Sequence, residues 1–361
     1  MFYIYFSSSA IHAALATLML QGVAVLAVPK LSVSVSGPNI IADVKDLLLK
    51  VTVTNTGDQA LRLIKDPQVP LLTSPTNRFM ITGPNGTNPA FIGFYTKYAG
   101  VDWVAANGQS DAFTTLSAGQ SISLTHNLSK AYDFANSGVG KYIFEAVNLF
   151  HYVDGTKRAI SIKADSKSHQ MMLEGSLSLV NGDSGIGAQA TFVGCSASQQ
   201  NVINAVATAA KTYVFNAISY LEAHTVPTPR FITWFGAFQT TRYNAVLSNF
   251  NSLTTRGYEF TGWEYDCTQV ACNPGDYAIV VPNDYGVVYL CSLFWTAPLT
   301  GKNSQAGTLV HEGTHFLATA GTKDFALGQP ACQALALANP NQAVNNADSY
   351  EYFAENTPPL A

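Results

Sequence analysis

The stretch GTLVHEGTHFLATAGTKDFALG, residues 307–328, decides how the C-terminal half is read. It carries His311 and His315, four apart, with Glu312 between them. On a helix, positions i and i+4 share one face, so both imidazoles present themselves to a common point. Glu312 lies about 100° around the axis from His311, within reach of a water at that point without being a ligand itself. Val310 and Phe316 flank the polar group with apolar side chains, as in a helix that crosses a core, and Ser304 is a plausible N-cap. Two imidazoles and a neighbouring carboxylate in this pattern suit zinc hydrolysis: the metal activates water and the glutamate takes its proton.

Such a site usually holds three protein ligands and one open position. No histidine follows His315, which excludes the long His-ended motif of metzincins. His224 falls at the end of a long helix, where the helix dipole is reason enough for it. The remaining candidates are the carboxylates Asp324, Asp348, Glu351 and Glu355. Asp324 comes just after a bend at Gly321, which is expected to end the helix and let the chain double back to the metal. We take Asp324 as the third ligand; Glu351, on the last helix as in gluzincins, is the rival.

The rest of the chain sets the context. Its 361 residues suggest two domains, and with 47% hydrophobic residues a sizeable core is available. Only 12% of residues are charged and the net charge is −4, so nucleic acid is not an expected partner. Val28 to Ala190 holds 13 Lys+Arg against 12 Asp+Glu, while Thr191 to the end holds 6 against 11. The half with the histidine motif is therefore the acidic one. Residues 1–27 end in an apolar run and VLA, which reads as a secretory signal peptide although no Lys or Arg precedes the run. No other segment is apolar for long enough to cross a bilayer, so a secreted, extracellular protein is expected, with no membrane contact after signal removal, and a monomer. All five cysteines, Cys195, Cys267, Cys272, Cys291 and Cys332, lie in the C-terminal half, which suits stapling in an oxidising compartment. Sequons begin at Asn85 and Asn127.

Residues 28–165 read as an all-β, sandwich-like domain: LSVSVSG, LLLKVTVTNTG, QSISLTHNL and KYIFEAVNLF are strand patterns, separated by turn clusters such as GPNGTNP. No catalytic constellation is visible there; His126 and His151 are isolated. Residues 166–190 look like a linker by composition. The GDSG at 182–185 matches a serine-protease nucleophile segment but lacks its context. Lys157-Arg158 is either a processing site or a surface turn. From Thr191 the period becomes helical in SASQQNVINAVATAAKTYVFNAISYLEAH, capped by Ser196 or Ser198, and again in AFQTTRYNAVLSNFNSLTTRG up to Gly257. YEFTGWEYDC is strand-like and YAIVVPNDYGVVYLC reads as a hairpin. PNQAVNNADSYEYFAEN closes the chain as helix. The C-terminal half is thus α+β, with helices around a small sheet.

HEGTH followed by GTKD resembles the aspzincins, the family of deuterolysin and the fungal peptidyl-Lys metalloendopeptidases. TPRFITWFGAF, VVYLCSLFWTAPLTG, SQAGTLVHE and NADSYEYFAEN resemble its lysine-specific branch over 191–361. The resemblance implies a zincin-like metalloprotease domain with one zinc held by His311, His315 and Asp324, and Glu312 as general base. It also implies disulfides Cys195–Cys267 and Cys272–Cys291. Asp348 and Glu351, three apart on one helix face, would line the pocket for the lysine after the scissile bond. The implied whole is a secreted preproenzyme: signal peptide 1–27, β-rich propeptide 28–165, linker 166–190 and zinc metallopeptidase 191–361, acting on proteins or peptides with lysine. One departure stands out. The family's G-T-x-D-x-x-Y-G has Leu327 in place of tyrosine. Leucine cannot donate a hydrogen bond, and losing one donor to a tetrahedral intermediate costs about 100- to 1000-fold in rate. The alternative is therefore a secreted zinc-binding protein of the same fold with weak or no peptidase activity, unless Tyr350 or Tyr352 substitutes from the last helix.

Overall fold

In Leu31–Ser36, Leu31, Val33 and Val35 turn inward while Ser32 and Ser34 turn toward the surface, and the period of two makes a strand. The same alternation builds Leu48–Asn55, which pairs antiparallel with it along its length and with Ser121–Asn127 on its other side. The computed structural model describes residues 28–177 and 189–361; the signal peptide reading at 1–27 and the GDSG at 182–185 lie outside them. Among the described residues the N-terminal half folds as three four-stranded sheets and a two-stranded one, Ala90–Phe91 with Tyr132–Asp133, around a main apolar core that includes Leu49, Val51, Tyr142, Phe144 and Phe150.

Three features differ from the sequence reading. Two strand pairs are parallel, Leu31–Ser36 with Asp165–Lys167 and Ile40–Asp43 with His169–Ser176. These pairs also take up the first part of the stretch read as linker. Its Gly and Ser content masked an alternation in which Met171 and Leu173 are buried. A short helix, Val101–Asn107, interrupts the β structure. Lys157-Arg158 sits in the tight turn between Leu149–Val153 and Ala159–Lys163, where Asp154 accepts from the Thr156 and Arg158 amides.

The C-terminal half has its own core around Trp234, Phe250, Trp263, Val310 and Phe353. Ser196 caps the long helix Ala197–Ala223 through a capping box with Gln199. A helix at Pro229–Phe235 was not foreseen, and the next, Thr240–Ser252, stops short of Gly257. The expected hairpin forms from Asp276–Val280 and Val287–Leu290. Its sheet is mixed, because Thr191–Val193 and Glu264–Asp266 add in parallel beyond Val287–Leu290. Disulfide bonds join Cys195 to Cys267 and Cys272 to Cys291. In the chain-entropy account, closures of this size stabilise by roughly 3–4 kcal/mol each. Cys332 is free and buried.

The fifth strand of this sheet comes from the other half of the chain. Tyr95–Tyr98 pairs antiparallel with Asp276–Val280 and covers what would otherwise be the sheet's open edge. Among the described residues no helix is long and apolar enough to cross a membrane.

Candidate metal centre

The motif helix runs from Gln305 to His315, and every residue in it is buried. Two glycines make that depth possible. A Cβ at Gly307 would lie 2.2 Å from the Glu355 carboxylate, and one at Gly313 would lie 3.0 Å from Trp263. Glu355, on the last helix (Ala347–Glu355), accepts from the Ser304 amide and hydroxyl, and Ser304 in turn caps the motif helix at Gly307. The two helices are thereby locked in register.

The helix ends at His315, earlier than the expected bend. The chain then turns through Gly321, at φ 61°, and returns alongside the helix, with the Thr322 amide donating to the Thr314 carbonyl. The Asn346 side chain accepts from the amides of Phe325 and Ala326, which pins the loop that carries Asp324. The Nε2 atoms of His311 and His315 end 3.1 Å apart, and Asp324 Oδ1 stands 3.3 Å from each. Ligand atoms around a tetrahedral zinc, with bonds of about 2.0–2.1 Å, are about 3.3 Å apart. The donor set fits zinc.

Protonation agrees with that fit. His315 Nδ1 faces the Thr322 carbonyl at 3.0 Å, and His311 Nδ1 faces Asp348 Oδ1 at 2.7 Å. The Thr322 carbonyl hydrogen-bonds His315 Nδ1, and the Asp348 carboxylate lies against His311 Nδ1 at ion-pair distance without hydrogen-bond geometry; both oxygens favour a proton on Nδ1 and leave the Nε2 lone pairs facing each other, an arrangement that calls for a cation between them. In the metal-free protein burial opposes a charge on His311, but the contacts and charges of Asp324 and Asp348 outweigh it and lift its pKa to about 10. The Asp324 side chain is 11% exposed; its partial burial raises the carboxyl, yet His315 and His311 hold it far below the usual range. Glu312 is pushed up to about 7 by burial. Its Oε1 accepts a hydrogen bond of 2.9 Å from the Lys97 amide, while its Oε2 has no partner among the described residues. Such a carboxylate is poised for proton transfer near neutral pH.

Beyond His311 lies an acidic pocket. Asp348 and Glu351 are fully buried on the last helix. Between them sits the Lys97 ammonium, 2.9 Å from Asp348 and 2.7 Å from Glu351. Burial disfavours the lysine's charge, but the two carboxylates raise its pKa well above normal. Asp348 is held down at about 2, with Lys97 and His311 overcoming burial. Glu351 goes the other way, to about 7, because burial and the Asp348 charge outweigh Lys97. We take Asp348 as the carboxylate that stays ionised, since it lies 2.7 Å from His311 Nδ1, where Glu351 lies 3.5 Å away. Asp348 thus orients His311 and also lines the pocket.

The structure also places Tyr350 and Tyr352, the candidates to replace the motif's phenol. Tyr350 donates to the Val344 carbonyl and Tyr352 to Asn303, so neither approaches the histidines as the sequence reading allowed. Leu327 packs against the apolar cluster that includes Ile64, Tyr98 and Val104. His224 is exposed, on Tyr220, away from the metal point. Sequence reasoning missed Tyr95, Thr96 and Lys97. Tyr95 stacks on the His315 ring at 4.4 Å, and the Thr96 amide donates to Asp324 Oδ2 at 3.3 Å. A signal was present: Lys97 lies within FYTKYAG, and lysine is almost never fully buried unless it is paired.

Comparison with known proteins places these residues in context. Residues 220–355 match the family model described as lysine-specific metallo-endopeptidase, Aspzincin_M35. The chain is 44% identical to a peptidyl-Lys metalloendopeptidase of Grifola frondosa over 93% of this chain and 95% of that one. It is 41% identical to one of Armillaria mellea over 95% and 96%. A peptidyl-Lys metalloendopeptidase of Pleurotus ostreatus is 52% identical, with 48% of this chain matching its whole length.

Proposed function

Because this chain belongs to the aspzincin family and is a zinc-dependent metalloendopeptidase, we propose that it is made as a secreted preproenzyme that cuts peptide bonds on the amino side of lysine. The N-terminal half is the propeptide and the peptidase begins near Thr191. The match of the Pleurotus ostreatus relative, over its full length, to 48% of this chain supports that division. The leader read in residues 1–27 and the two disulfides support secretion.

His311, His315 and Asp324 hold one zinc. When bound, the metal supplies Lewis acidity toward the peptide carbonyl and toward water. Glu312 takes the proton of the attacking water and passes it to the departing amide nitrogen. Asp348 keeps the His311 lone pair aimed at the metal. Asp348 and Glu351 receive the substrate's lysine ammonium. The observation that carries this reading is that one residue, Lys97, reaches both places at once: its amide touches Glu312 and its ammonium fills the acidic pocket. This geometry supports a preference for bonds whose nitrogen belongs to lysine.

Leu327 gives the second reading, a zinc-binding protein with little or no turnover. The test is to incubate the processed protein with a peptide containing one lysine and to identify products by mass spectrometry. Cleavage before the lysine, abolished by a chelator and restored by zinc, is expected. Stoichiometric zinc with an intact peptide would establish the second reading instead.

A further inference from the structure

The sheet edge at Asp276–Val280 borders the metal centre, and an open edge is a template for an extended peptide. In this structure the peptide is the chain's own Tyr95–Tyr98, antiparallel, with Lys97 opposite Ala278, Thr96 opposite Ile279 and Tyr95 opposite Val280. We propose that Tyr95–Tyr98 is a built-in occupant of the substrate cleft, laid in a substrate's register so that Lys97 fills the lysine pocket and the Thr96–Lys97 bond lies over the metal centre. This rests on the functional reading above and extends it to regulation: the chain withholds its activity by presenting its own lysine.

Independent contacts converge on this register. The Lys97 side chain, only 2% exposed, spans from the edge strand to Asp348 and Glu351. Its amide faces Glu312, where the nitrogen of a bond being cut must be. On the other side of the bond, Thr96 and Tyr95 touch Asp324 and His315. Burying a lysine in a foreign core is costly unless it is fully paired, and here the pairing comes from the opposite half of the chain. A strand serving only to cover the edge would need no lysine.

Two measurements on the full chain test this. In the metal-free protein, brief treatment with an amine-acylating reagent should modify Lys45, Lys141 and Lys302 while leaving Lys97 unmodified. Lys97→Glu, which puts a third carboxylate into the pocket, should expel the strand. The unprocessed, zinc-loaded variant should cut a lysine peptide about 100-fold faster than the unprocessed wild type, the scale expected from breaking a buried ion pair. Once the N-terminal half is removed, both proteins should have equal activity, which also shows that the variant folded. Acylation of Lys97 at the rate of the surface lysines would overturn the proposal. So would an unprocessed variant as idle as the wild type when both are active after processing. If neither processed protein cuts lysine peptides, the functional reading fails, while the acylation pattern still decides the occupancy.

A second inference comes from the sequence around the join. No lysine lies between Lys167 and Lys211, and Lys211 is inside the helix Ala197–Ala223. A lysine-directed peptidase cannot make the cut near Thr191, so we infer that a protease of different specificity releases it. In a secreting host that processes the wild type, Glu312→Gln should yield the same mature N-terminus. Accumulation of the uncut Glu312→Gln chain would overturn this.

Discussion

Asp324→Ala strips the protein of zinc and of peptidase activity together, while Glu351→Gln keeps the metal. Asp324 supplies one of three donor atoms mutually 3.1–3.3 Å apart. Without it two imidazoles remain, too few to hold zinc at a structured site. Loss of an outer partner of a ligand costs about 10–100-fold in affinity, so loss of the ligand should exceed that range in a competition titration. Glu351 Oε2 lies 3.5 Å from His311 Nδ1, the ring nitrogen that faces away from the metal point. A gluzincin reading, with Glu351 as ligand, reverses both results: Asp324→Ala would retain zinc and Glu351→Gln would lose it.

Part of this site was legible because its physics is local. The spacing of His311, Glu312 and His315 on a helix places three groups by periodicity alone, and the Gly321 turn suffices to bring Asp324 back. The acidic pair Asp348 and Glu351 shares a helix face for the same reason. The strands with strict alternation could be read directly, as in Leu31–Ser36. What escaped is contact between residues distant in sequence. Nothing near Lys97 says that its ammonium will meet Asp348, 251 residues later. His169–Ser176 is hard to read because its outward positions, Gln170, Met172 and Glu174, include an apolar one and its flanks are rich in small residues, so composition outweighs period. Parallel pairing was also out of reach, since it depends on which strands become neighbours after the chain crosses over.

Glu351→Leu should separate specificity from metal binding in the processed enzyme. Leucine fills much of the volume but leaves Asp348 as the only carboxylate facing an incoming ammonium. Breaking a buried pair by removing one partner costs about 3–5 kcal/mol, which is a fall of about 100- to 1000-fold or more in kcat/KM for peptides with lysine after the cut. Zinc content should be unchanged, because the three donor atoms and the Asp348 contact to His311 are untouched. Asp348→Leu should be worse in kind as well as in degree. It removes a pocket charge and also the acceptor 2.7 Å from His311 Nδ1, so zinc affinity falls alongside kcat/KM. Peptides carrying norleucine in place of lysine complete the comparison: Glu351→Leu should lose most of the preference for lysine over this uncharged side chain. If Glu351→Leu cuts both peptides with wild-type discrimination, the buried acids are not the specificity pocket, and the lysine that sits between them is there for the fold alone.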